Sequence, residues 1–222
     1  MENKNYQDLC NEVKKLGKKI NESGSVLYSP IDTLSKGKFY LLGINPGGSD
    51  FESIDDQLKK SPGEIKSQYN TNWSESKDNT EYRTPLQTRI ISLFKNVADI
   101  DKICASNLIF FRSKSEEELR KNDVTFRDME EMCWPVHQFI LKIVDPEVII
   151  TFGKSPYLFV SEMLQMEELP GKSMQAGHST WKIRIGQSRN GEPKYIIGFP
   201  HFSRYEPKEN ILKGILDVLG HS

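Results

Sequence analysis

The sequence predicts a layered α/β domain, with a mainly parallel sheet covered by helices on both faces. Three observations lead there. Short apolar runs of strand length recur at residues 38–44, 103–111, 148–152 and 195–199. Between them lie longer stretches whose apolar residues return at three- and four-residue steps, the spacing of one helix face. Gly and Pro punctuate the joins. Continuous apolar strands alternating with amphipathic helices fit a sheet buried on both sides.

Each element follows from local pattern. Tyr6, Leu9, Val13, Leu16 and Ile20 give a first helix with Lys and Glu between them, and Gly24 and Pro30 mark the loop after it. The first strand stops at Asn45-Pro46-Gly47-Gly48, a strong turn signal. Residues 49–84 are polar and poor in aliphatics, with a helix expected over 54–69. So long a stretch inside a compact domain points to a functional lid. Leu86, Ile90, Leu93, Phe94 and Val97 predict the next helix. Residues 126–144 predict a long one, with Met129, Met132, Val136, Phe139, Ile140 and Ile143 on one face and a break or kink at Pro135. Asp145-Pro146 ends it, and a further helix starts near Pro156 after Gly153. Residues 181–185 alternate and pair with 195–199 as a hairpin with a long loop. A last helix runs from near Pro207 to Gly220. The expectation is one domain over residues 1–222 with the lid inserted at about 49–84.

Composition narrows the function classes. Thirty Lys and Arg against 31 Asp and Glu leave a net charge of −1, which excludes a globally basic nucleic-acid binder but not a local grip. Cys10, Cys104 and Cys133 are scattered, with no CxxC pair, so neither a structural zinc site nor a disulfide framework is expected. The Lys-rich first 20 residues lack an apolar signal region, and no apolar run spans a membrane. A cytoplasmic protein without membrane contact is expected.

In open α/β sheets, ligands sit beyond the carboxyl ends of the strands. Four segments lie there: 45–49, 107–113, 153–155 and 200–205. The first has no GK[ST] and no GxGxxG, so it is neither a P-loop nor a dinucleotide fingerprint. It reads as a tight turn, or as an amide held rigidly by Pro46. Asn107 sits in an apolar strand, so its amide is bonded either to backbone or to a ligand. His201 precedes Ser203 by two residues at the end of the fourth run.

Taken in order, Gly43-Ile44-Asn45-Pro46-Gly47, Ser106-Asn107-Leu108, the stretch from Cys133 to Gly153, and Pro200-His201-Phe202-Ser203 resemble the motifs of the uracil-DNA glycosylase superfamily. The first motif is similar to that of its mismatch-specific and single-strand-selective branches. The resemblance spans about residues 38–205. It implies a three-layer sandwich around a central, mainly parallel four-stranded sheet. It implies an enzyme that hydrolyses the bond between a damaged base and deoxyribose in DNA, acting as a monomer without a cofactor. Asn45 would orient the attacking water and His201 would donate to the base's O2. Gly43, Ile44, Pro46, Gly47 and Asn107 would form the base site.

A flipped base needs an aromatic floor. Phe51, Tyr69, Trp73 and Tyr82 are candidates, and Tyr82, just before the helix near Thr84, matches the family's stacking position. The backbone N–H groups of Gly47 and Gly48 and the Ser203 hydroxyl would hold phosphates. Arg204 and Tyr205 lie where the family inserts a wedge, and Arg112 and Lys154 lie just past strand ends.

Three departures stand out. Phe202 replaces the Pro of the second motif, and the stretch after motif one is longer than the family's. The iron–sulfur branch uses four cysteines; this chain has three, so no metal is expected. A non-catalytic nucleic-acid or nucleotide binder, or a small-molecule nucleoside hydrolase, would use the same residues. A basic groove around His201, Arg204 and Lys154 speaks against the small-molecule reading.

Overall fold

The computed structural model describes residues 3–48, 51–71, 83–120, 125–170, 174–175, 182–189, 191 and 193–220. The strands are β1 (Phe39–Gly43), β2 (Cys104–Asn107), β3 (Val148–Phe152), β4 (Glu167–Glu168), β5 (Met174–Gln175), β6 (Lys182–Gln187) and β7 (Tyr195–Phe199). The helices are α1 (Lys4–Lys14), α2 (Ile54–Lys60), α3 (Pro85–Phe94), α4 (Glu116–Leu119), α5 (Phe126–Val144), α6 (Lys154–Met163) and α7 (Ile211–Val218).

The sheet runs β2-β1-β3-β7-β6-β4, and β5 pairs with β6 off that path. The first four strands are parallel. β6 pairs antiparallel with β7, the hairpin its alternating residues predict, and β4 pairs antiparallel with β6. The line therefore has six strands and not the expected four. The hairpin adds a strand beside β7, and the two residues of β4 add another.

Period-two alternation divides the core between the two faces. Tyr40 and Leu42 of β1 face a cluster with residues of α1, α5 and α6. Phe39 and Leu41 face a second cluster with residues of α3 and α7. Helices thus cover both sides of the sheet.

Several elements are shorter than expected. α1 ends at Lys14 and the chain continues as a 3-10 turn over Gly17–Asn21. α2 stops at Lys60, because Pro62 opens a 3-10 turn over Ser61–Gly63. Within the stretch expected to form a lid, Ile54, Leu58 and Tyr69 are buried in the core. β2 covers four residues, after which the chain stays buried but follows the loop leaving β1. α5 continues through Pro135, which lies on its exposed side, where water can serve the carbonyl that loses its partner. α7 starts at Ile211, after Asn210 in the left-handed conformation, and not near Pro207.

Among the described residues no helix is long and apolar enough to cross a membrane.

Candidate active site

The parallel strands bring their carboxyl ends to one side of the sheet. At the end of β1 the loop is stitched to the chain leaving β2. Leu108 N donates to Gly43 O (3.0 Å), Ile109 N to Ile44 O (2.9 Å) and Ser113 N to Pro46 O (3.0 Å). Asn45 Nδ2 donates to the carbonyls of Pro46 (2.8 Å) and Ser113 (3.1 Å). The Arg112 guanidinium donates to Gly47 O. With both amide hydrogens bound to backbone, the Asn45 side chain is fixed, and its Oδ1 accepts no hydrogen bond among the described residues.

Asn107 closes β2 opposite Gly43. A Cβ on residue 43 would lie 2.3 Å from Asn107 Oδ1 and 2.8 Å from the Phe152 ring, so only glycine admits both neighbours. Asn107 is 3% exposed, and its Nδ2 has no hydrogen-bond partner among the described residues. Such a group costs about 1–3 kcal/mol when left unsatisfied.

Behind it stands a polar pair that the sequence does not reveal. His137, fully buried on α5, faces Leu108 O at 3.0 Å through Nε2 and the Tyr40 hydroxyl at 2.8 Å through Nδ1. A carbonyl only accepts, so Nε2 carries the proton and Nδ1 accepts from Tyr40. Burial pushes the His137 pKa down to about 4, against the smaller upward pull of the Leu108 and Asn107 backbone. The neutral ring therefore holds the strand end next to Asn107.

At the end of β3, Phe152 meets Tyr69 edge-on (centroids 6.1 Å apart) and lies 5.8 Å from the His201 ring. Gly153 follows with φ 109° and opens α6; a Cβ there would strike Ile44 at 2.8 Å. At the end of β7 the chain turns, with Arg204 N and Tyr205 N both donating to His201 O. Ser203 N (3.2 Å) and Ser203 Oγ (2.7 Å) both reach His201 Nδ1. The backbone N–H can only donate, so a neutral His201 carries its proton on Nε2.

Phe202, the departure from the second motif, is fully buried. It stacks on Phe152 and Tyr205, and its carbonyl accepts from Arg89 Nη1 of α3 at 2.7 Å. Tyr205 is also buried, which leaves Arg204 as the exposed large side chain of this turn.

These ends surround a cavity of about 420 Å³. Ile44, Asn45, Gly47, Asn107, His201, Ser203 and Arg204 line it together. Gly43 and Pro46, expected in the base site, do not line it. Gly48 lines a neighbouring cavity beside Arg112, and Lys154 lines a second cleft that shares Ile44, His201 and Arg204 with the first. Tyr82 and Trp73 fall outside the described residues. Phe51 is 82% exposed and does not line the cavity. The aromatic walls are Tyr69, Phe152 and Tyr28.

Tyr28 is not singled out by the sequence. It sits on a short segment that bridges antiparallel to the chain of β2 at Leu27 and Ser106, too brief between Gly24 and Pro30 to read as a strand. Burial raises its phenol pKa to about 12, with Arg112 and Asn107 pulling the other way. Lys114 and Arg204 stand on the cavity lining, and no carboxylate does among the described residues.

Among the described residues, no group of three or more His, Cys, Asp or Glu side chains could hold a metal ion. The three cysteines are free thiols, and burial pushes Cys104 and Cys133 up to about 12.

The sequence matches no protein-family model, and the comparison with curated proteins finds no match.

Proposed function

We propose that this chain is a DNA glycosylase that hydrolyses the N-glycosidic bond of uracil, or a related damaged base, flipped out of DNA. In this reading the four parallel strands and their two helical layers are a uracil-DNA glycosylase sandwich, extended by β6 and β4. One observation carries the reading: a buried Asn107 Nδ2 without a partner among the described residues, at a strand end, facing a cavity that also holds Asn45 and His201. The volume of that cavity falls in the ~300–1,000 Å³ range of small-molecule sites.

The chemistry follows from the donors and acceptors. Asn107 Nδ2 binds O4 of the base and its Oδ1 accepts from N3–H. The base lies among Tyr69, Phe152 and Tyr28. Asn45 Oδ1 accepts a hydrogen bond from a water placed to attack C1′. As the C1′–N1 bond breaks, its electron pair stays with the base and charge builds on O2, where His201 Nε2–H donates. A neutral imidazole suffices for this electrostatic role. Asn45 is no useful base, so the water's proton leaves to solvent and the rate falls below that of a site with a carboxylate there.

The test is a panel of oligonucleotides carrying uracil, hydroxymethyluracil or hypoxanthine, each single- and double-stranded. Base release is expected from at least one. Asn45→Ala and His201→Ala are expected to lose about 10²–10³-fold in rate, the usual effect of removing one preorganised polar group. No release from any substrate defeats the enzyme reading. The missing carboxylate favours one second reading, a binding module on the same fold. Tight binding of uracil-containing DNA without release selects it.

A further inference from the structure

Beside the candidate base site lies a second cleft of about 340 Å³ that carries the densest group of cations lining any of these cavities. Lys154, Lys182, Arg184 and Arg204 line it, and Ile44, His201 and Arg204 belong to both cavities. The cations come from three separate elements. Lys154 begins α6, Arg204 sits on the turn after β7, and Lys182 and Arg184 come from β6.

Their convergence has a simple cause. Residues two apart on a strand share a face. Ile183 and Ile185 are buried, at 1% and 3% exposure, which turns Lys182 and Arg184 together to the other side. Arg184 pairs with Gly198 of β7 in the sheet register. A Cβ at residue 198 would lie 2.4 Å from the Tyr157 ring, so the floor stays low there and Tyr157 fills it. Among the described residues one carboxylate borders the group: Glu168 Oε2 accepts from Arg184 Nη1 at 2.9 Å. Lys154, Lys182 and Arg204 make no ion pair among the described residues.

We propose that this cleft is a track for the phosphodiester backbone of a single nucleic-acid strand, leading away from the nucleotide held in the neighbouring cavity. An array of cations along one cleft matches a chain of singly charged phosphates. The hairpin that extends the sheet beyond β7 supplies half of the array. The track rests on the proposed function only for the identity of the nucleotide next door. The grip on phosphate stands on the charges alone.

The experiment measures binding of a fluorescein-labelled single-stranded oligonucleotide without any damaged base by anisotropy, from 50 to 200 mM salt. For a single strand, each cation that no longer meets a phosphate lowers the slope of log K against log salt by ~0.7. The double variant Lys154→Gln/Lys182→Gln is expected to bind about 10-fold more weakly, with the slope reduced by about 1.4. Glu168→Lys is expected to bind several-fold more tightly with a steeper slope. A folding defect would not tighten binding, so this variant keeps the test sound. Failure of the wild-type protein to bind, or unchanged affinity and slope in both variants, overturns the proposal.

Base release is scored separately on the damaged-base panel. Salt-sensitive binding that responds to both variants, without base release, sustains the track and defeats the glycosylase reading. Base release with affinity and salt slope unchanged in both variants does the reverse.

Discussion

At the end of β2, Asn107 is 3% exposed and backed by a buried polar relay of Tyr40, His137 and the Leu108 carbonyl. At the end of β7, His201 is half-buried and bonded to Ser203, and the turn that carries it is rooted by the next residue, Phe202, sunk in an aromatic cluster. One strand end is braced by hydrogen bonds behind the sheet, the other by apolar burial in the opposite face of the core. The two ends of this cavity therefore have separate foundations; in the proposed function these are the foundations of base recognition and of leaving-group stabilisation. Each can be disturbed without the other.

The largest expected effect is at Phe202. Phe202→Ala should cost about 3–5 kcal/mol of stability, as for other fully buried aromatics. For a chain of this size the melting midpoint should fall by roughly 6–20 °C in a thermal scan. A loss below ~1 kcal/mol would break the comparison, because His201 would then owe its place to something else.

Under the proposed function, Asn107→Ala should lower base release by about 10²–10³-fold while stability stays within about 1 kcal/mol or rises, since a buried donor without a partner among the described residues disappears. Parallel losses of stability and activity would assign Asn107 to the scaffold.

His137 gives a pH signature confined to the β2 side. Its pKa is about 4 in the fold and 6.5 as a free side chain. Below pH 6.5 the unfolded chain takes up a proton that the folded chain refuses. Its contribution to stability is therefore intact above about pH 6.5, falls as pH drops towards 4, and then levels off. The total is on the order of 3 kcal/mol. Urea titrations between pH 4 and 7 should show a flatter profile for His137→Gln than for the wild type.

The smallest effect is at Arg89. Arg89→Met should cost about 1.5 kcal/mol by removing the bond to Phe202 O, and should leave the pH profile unchanged. The same urea titrations check it.

Much of this arrangement can be read from the sequence, and the unread part has one physical character. The parallel strands are apolar runs between turn residues, so their places follow from local pattern. Asn45, Asn107 and His201 are legible because strand ends are where ligands bind. Tyr28, His137 and Arg89 are not. Each matters through a partner far away in sequence: Tyr28 N to Ala105 O, Tyr40 to His137, and Arg89 to Phe202. No local periodicity records such a pairing. Phe202 reads as a motif departure that would reshape a DNA-facing loop, whereas its side chain points inward and roots the loop. Pro135 predicts a break in the helix of 126–144, but a proline on the wet side of a packed helix leaves the buried side continuous.

The hairpin has a further consequence, for how copies of this chain behave together. β7 is among the most apolar strands, with Ile196 and Ile197 fully buried. In a sheet that ended there, it would offer a bare row of backbone donors and acceptors to any other strand. β6 satisfies that row, and the rim beyond it is two short strands, β5 and β4, with the Glu167 and Glu168 side chains of β4 exposed. At the opposite rim, the segment around Leu27 bridges to β2. Both borders of the sheet are therefore blunted, one by charge and brevity and the other by a covering strap. Peeling the hairpin away would convert a self-contained sheet into an adhesive one, and colloidal stability depends on the same strand that carries Lys182 and Arg184.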